Sequence, residues 1–143
     1  MTGIILTGHG NIGTGIGSAV ELVFGKPEKF QTIDFTEGTT PELLEKKLEK
    51  EIDNFQSETL ILTDIAGGTP FKTASLLSMK KKNVKVVSGM NLPMVLEVIC
   101  ERENLDLESL YFHSMEIGKS QITGFELNKN LSENKNDDFE NGI

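Results

Sequence analysis

His9 stands between two glycines in Thr7-Gly8-His9-Gly10, and Asp64 closes an apolar run and opens Asp64-Ile65-Ala66-Gly67-Gly68-Thr69-Pro70. A carboxylate that accepts a hydrogen bond from one imidazole nitrogen sets the tautomer and leaves a lone pair on the other. It also offsets the charge that develops as that lone pair forms a bond. A phosphoryl group is an electrophile suited to such a pair, because its transfer asks mostly for positioning and for donors around the equatorial oxygens. Gly10, Gly67, Gly68 and Thr69 are the expected phosphate-binding residues. Backbone N–H groups of the second loop, the Thr69 hydroxyl and the N-terminal end of the helix after Gly10 supply donors without a metal. Simpler readings make His9 an idle loop residue and Asp64 a cap for the N–H groups of its own loop. His113, with Tyr111 and Met115, reads as a packing or surface residue. The two histidines are 104 positions apart (113 − 9), no cluster has metal-ligand spacing, and no cofactor is expected.

Short apolar runs rich in β-branched residues alternate with longer segments of helical period, the trace of βαβ units and a parallel sheet. The strands fall at Ile4 to Thr7, Phe30 to Phe35, Thr59 to Thr63 and Val84 to Val87. After the first, Ile16, Ala19, Val20, Val23 and Phe24 mark the inner face of a helix that stops at Gly25 and Pro27. Thr40-Pro41 and Thr69-Pro70 each read as an N-cap followed by a first-turn proline. The first opens a helix burying Leu44, Leu48, Ile52 and Phe55. The second opens one with Phe71, Ala74 and Leu77 turned inward and Lys80-Lys81-Lys82 at the negative end of its dipole. Asn91-Leu92-Pro93 begins a helix carrying Val95, Leu96, Ile99 and Cys100, with Cys100 a small core hydrophobe. The last helix runs from Leu107 to about Ser120. In an open α/β sheet ligands bind beyond the carboxyl ends of the strands, which singles out the loops at Gly8–Gly10, Asp64–Thr69 and Ser88–Asn91.

The chain has 143 residues, of which 37% are hydrophobic and 25% charged, the profile of one globular domain. Fourteen Lys+Arg against 22 Asp+Glu leave a net charge of −8, which disfavours nucleic acid and anionic lipid. A single cysteine excludes an intramolecular disulfide, and no apolar run has the length of a membrane span or the flanks of a secretory signal. The expectation is a cytoplasmic protein with one domain over 1–127 and an acidic, flexible tail over 128–143.

One rival is explicit. Gly8-His9-Gly10-Asn11-Ile12-Gly13 is a literal G-x-G-x-x-G between a strand and a helix, and Asp34 ends the second strand, as in a dinucleotide-binding domain. That reading leaves Asp64-x-x-Gly-Gly-Thr-Pro unexplained and gives a chain this short no room for a usual catalytic domain. A third reading is an interaction module without chemistry.

Three blocks carry a resemblance: Thr7-Gly8-His9-Gly10, Leu62-Thr63-Asp64-Ile65-Ala66-Gly67-Gly68-Thr69-Pro70-Phe71, and Ser88-Gly89-Met90-Asn91-Leu92-Pro93-Met94. Together they resemble the IIA component of the mannose-type bacterial sugar phosphotransferase system, over about residues 1 to 127. The resemblance implies a phosphorylated His9, a hydrogen-bonded Asp64, and Thr69 as the hydroxyl residue beside the phosphoryl site. Ala66 stands where many members carry a bulky apolar residue. It further implies an open parallel sheet of order 2-1-3-4 with helices on both faces, and a homodimer in which an antiparallel C-terminal strand can cross to the partner. Phosphoryl groups would pass from the phosphocarrier HPr through His9 to the IIB component, with the membrane met only indirectly through IIC and IID. The first strand, Thr63 to Phe71 and the terminal Gly142-Ile143 resemble the N-acetylgalactosamine/galactosamine branch.

Overall fold

The structure is a computed structural model that describes residues 1–127; the tail expected over 128–143 lies outside the described residues. Four strands, β1 (Gly3–His9), β2 (Phe30–Phe35), β3 (Thr59–Thr63) and β4 (Val84–Val87), form a parallel sheet in the order β2-β1-β3-β4. The helices are α1 (Ile12–Phe24), α2 (Pro41–Phe55), α3 (Thr69–Lys80), α4 (Leu92–Glu101) and α5 (Leu107–Ser120). Ile4, Leu6, Leu60, Leu62 and Val87 pack against α1, α4 and α5, while Ile5, Ile33, Ile61 and Val84 pack against α2 and α3. Both faces are therefore covered, which is why β3 is apolar in a continuous run and buried at every position. Leu60, Ile61 and Leu62 are fully buried, each contributing about 1.5–3 kcal/mol of apolar transfer. That central strand is a rigid mount for the Asp64 loop at its carboxyl end.

Local chemistry sets the helix starts. The Thr40 side chain accepts the Leu43 N–H at 3.1 Å, Asn91 accepts that of Met94 at 3.0 Å, and Asp106 accepts that of Ser109 at 2.7 Å. Lys80 and Lys81 pair with Glu45 and Asp53 of α2, both at 2.8 Å, so they serve the helix pair.

Three expectations need correction. The N-cap of α3 is Gly68, not Thr69, which is the first helical residue and makes no side-chain cap. Cys100 is exposed, because α4 turns Met94, Val95 and Val98 inward. In α1, Val23 and Phe24 are 36% and 43% exposed; the buried stripe is Gly13, Gly17 and Val20. A Cβ at Gly17 would lie 2.6 Å from Thr32 Cγ2, so α1 reaches the sheet through small residues that a search for apolar periodicity passes over.

Candidate functional site

The register brings the site together. Thr7 pairs with Thr63, so His9, two residues on, and Asp64, one residue on, emerge side by side at the carboxyl ends of β1 and β3. The chain leaves β1 toward β2 and β3 toward β4, and the gap between the two exits is the switch point where such sheets bind ligands.

Asp64 Oδ2 accepts two hydrogen bonds from His9, one from the backbone N–H at 2.9 Å and one from ring Nδ1 at 2.7 Å. Burial of the carboxyl would raise its pKa. The bond from the His9 amide, then that from its ring, and more weakly the Ile65 amide outweigh this and hold Asp64 below its ordinary value. An ionised carboxylate only accepts, so Nδ1 carries a proton, and in the neutral ring Nε2 then keeps its lone pair. The Asp64 side chain is 9% exposed and the imidazole 47%, so the anchor is inside and the ring that it holds is half open to solvent. Asp64 Oδ1 is buried with no hydrogen-bond partner among the described residues.

Asp64 is itself held from behind. Gly89 donates its N–H to the Asp64 carbonyl at 3.0 Å and Met90 to that of Thr63 at 3.0 Å, so the Ser88–Asn91 loop anchors the carboxylate's backbone.

The second loop supplies the surroundings. Gly67 has φ +78°, a turn that only glycine adopts without strain. A Cβ at Gly68 would lie 2.8 Å from His9 Cε1, so the ring rests directly against the start of α3. Gly68 brings no capping side chain and Pro70 has no N–H, which leaves the Thr69 and Phe71 N–H groups without an intrahelical acceptor. The Thr69 hydroxyl also makes no hydrogen bond among the described residues. Unpaired donors and the positive end of a helix dipole thus lie beside the imidazole, an arrangement that attracts an anion. Two expected donors are otherwise engaged: Gly10 gives its N–H to Phe35 O at 2.8 Å, and Gly68 gives its to Ile65 O at 3.4 Å.

Asp34, which a dinucleotide site would aim at a ribose, has both oxygens on the first turn of α1. Thr14 donates its N–H to Oδ1 at 2.9 Å and its hydroxyl to Oδ2 at 2.6 Å. The dinucleotide reading loses its acidic residue to a helix cap.

Residues 3–115 match the family model EIIA-man, described as PTS system fructose IIA component. The chain belongs to the mannose-type IIA family. It is 37% identical over 138 residues to the sorbose-specific EIIA component of Lacticaseibacillus casei, across 95% of this chain and 99% of that one. It is 30% identical over 112 residues to the fructose-specific EIIA component of Bacillus subtilis strain 168, across 77% of each. The crystal structure of phosphotransferase system component EIIA from Streptococcus agalactiae has a TM-score of 0.82 at 34% identity, covering 87% of this chain and 98% of that one. As a mannose-type IIA component the protein is a phosphotransferase, a phosphocarrier of a sugar phosphotransferase system. No helix among the described residues is long and apolar enough to cross a membrane.

One feature of the site escaped the sequence reading. The Phe35 ring meets the His9 imidazole edge to face, centroids 5.9 Å apart at 88°. The contact follows from the parallel register, which sets His9 at the end of β1 beside Phe35 at the end of β2, and no pattern within either strand gives that register. His113 is remote from all of this, half-buried and bonded to Glu97 at 3.0 Å.

Proposed function

We propose that His9 is the residue that carries the phosphoryl group, taking it from phosphorylated HPr on Nε2 and passing it to a histidine of the IIB component. The 2.7 Å bond from His9 Nδ1 to the ionised Asp64 carries this reading, since it leaves the Nε2 lone pair free on a half-exposed ring beside unpaired amides. In the accepting step the lone pair attacks phosphorus, the P–N bond to the donor's imidazole breaks, and its electrons return to that ring. His9 then bears phosphoryl on Nε2 and a proton on Nδ1, a cation that Asp64 neutralises. Nε2 has no proton to lose, so no general base is required. Thr69, through its N–H and hydroxyl, and the start of α3 hold the equatorial oxygens. Gly68 lets the ring approach, and Gly10 and Gly67 shape the two turns.

The finer assignments accord with the same reading. Residues 1–127 are the working domain, and the protein acts in the cytoplasm, reaching the membrane only through IIC and IID. Two copies pair by adding a C-terminal strand to the open edge of β4; exposed Ile122 and Leu127, at 78% and 87%, support this. The transported sugar is a hexose or amino sugar, and the wording of β1 and of Thr63–Phe71 supports N-acetylgalactosamine.

Incubation with phosphoenolpyruvate, enzyme I and HPr tests the reading. The expected result is an acid-labile, base-stable phosphoryl adduct that is lost in His9→Ala; an adduct that persists in that variant overturns it.

A further inference from the structure

The end of β2 contacts the His9 segment in three ways. The Phe35 carbonyl accepts the Gly10 N–H at 2.8 Å, which fixes the residue after His9. Asp34 holds the Thr14 amide and hydroxyl at 2.9 and 2.6 Å, which fixes the first turn of α1 four residues further on. The Phe35 ring then stands perpendicular to the imidazole, 5.9 Å between centroids. The imidazole is thus bounded on three sides: Asp64 at Nδ1, Gly68 against Cε1, and Phe35 across the ring. Phe35 bounds the ring from the β2 side, and Asp64 and Gly68 bound it from the β3 side.

We infer that Phe35 is a positioning residue for His9, keeping the imidazole in the orientation in which Nδ1 meets Asp64 and Nε2 faces the incoming phosphorus. This rests on the assignment of His9 as the phosphoryl carrier. The physical basis is the perpendicular aromatic pair, whose contribution beyond buried area corresponds to roughly three- to tenfold in an equilibrium between ring orientations. A ring held in one orientation presents its lone pair in a near-attack geometry; one that samples several does so only part of the time.

The test compares Phe35→Leu, which keeps apolar bulk against the α2 and α3 core, with Phe35→Tyr, which keeps the ring. Two quantities are measured on the full chain: the rate of phosphoryl uptake from phospho-HPr, and the ring-nitrogen NMR shifts of unphosphorylated His9, which report tautomer. The expected result is uptake slowed at least threefold in Phe35→Leu, with mixed His9 tautomers, an unchanged circular dichroism spectrum, and uptake within twofold of wild type in Phe35→Tyr. A smaller loss in Phe35→Leu with a single retained tautomer, or an equal loss in both variants, overturns the inference. The tautomer readout needs no phosphorylation. If the wild type itself fails to accept phosphate, the carrier assignment falls, whereas normal wild-type uptake with an indifferent Phe35→Leu removes Phe35 alone.

Discussion

Replacing Asp64 by asparagine keeps the side chain's shape and removes its charge, so the consequences can be traced atom by atom. Oδ2 accepts two bonds from His9. Hydrogen bonds to an ionised group are worth about 1.5–3 kcal/mol, against about 0.5–1.5 kcal/mol for neutral ones. An asparagine oxygen in the place of Oδ2 keeps both bonds at the lower strength. Its NH2 then falls where Oδ1 lies, buried and without a partner, but the burial of a full charge is relieved. The net loss of stability is roughly 1–3 kcal/mol, which a domain of this size withstands. The chemical effect is larger, because the carboxylate faces a ring that becomes a cation when phosphorylated. Two unit charges 4 Å apart at an effective dielectric of about 20 attract by about 4 kcal/mol. The imidazole is 47% exposed, and water screens roughly half of this, leaving about 2 kcal/mol, or roughly 30-fold in rate. Rapid-quench transfer from labelled phospho-HPr measures it, with His9→Ala as the blank. A folded Asp64→Asn variant that accepts phosphate within threefold of wild type would refute the charge argument.

Thr69→Ala removes a hydroxyl that caps nothing, so its melting curve should shift by no more than the equivalent of about 0.5 kcal/mol. Its transfer rate should nevertheless fall several-fold, and equal rates would take the hydroxyl out of the phosphate cradle. Gly68→Ala places a methyl 2.8 Å from His9 Cε1. The ring must swing aside, so uptake should drop at least tenfold while helical content is kept; retained uptake would contradict the close packing. Asp64 titrates below its ordinary value of 3.8 in the folded chain, so its ionised form stabilises the fold above about pH 4 and this contribution is lost as pH falls through the depressed value. The Tm advantage of wild type over Asp64→Asn should hold from about pH 7 to 5 and shrink between about pH 4 and 2. A gap that widens on acidification would reverse the sign of the coupling.

What could be read from the chain was whatever rests on patterns within one element. The continuous apolar run at Thr59–Thr63 declared a strand covered on both faces, Thr40-Pro41 and Asn91-Leu92-Pro93 declared helix starts, and the strand tips gave His9 and Asp64 as partners. What could not be read was whatever depends on which of two similar groups a neighbour leaves free. Thr69 looks like Thr40 in sequence, yet Gly68 takes the N-cap place because the Gly67 turn enters α3 one residue earlier. The Gly10 N–H was a plausible phosphate donor until β2 brought the Phe35 carbonyl to it. The Asp34 carboxylate fitted a nucleotide fingerprint until Thr14 folded back onto it. Phe35 carries no chemistry of its own, and only the pairing of β1 with β2 places it on the imidazole.

The most direct test is to phosphorylate the whole protein with phosphoenolpyruvate, enzyme I and HPr and to locate the phosphorus by phosphorus–nitrogen coupling in NMR, with peptide mapping at alkaline pH. A single adduct on Nε2 of His9, with the proton retained on Nδ1, is the predicted result. Phosphorus on Nδ1 of His9, on His113, or on a hydroxyl would contradict the account.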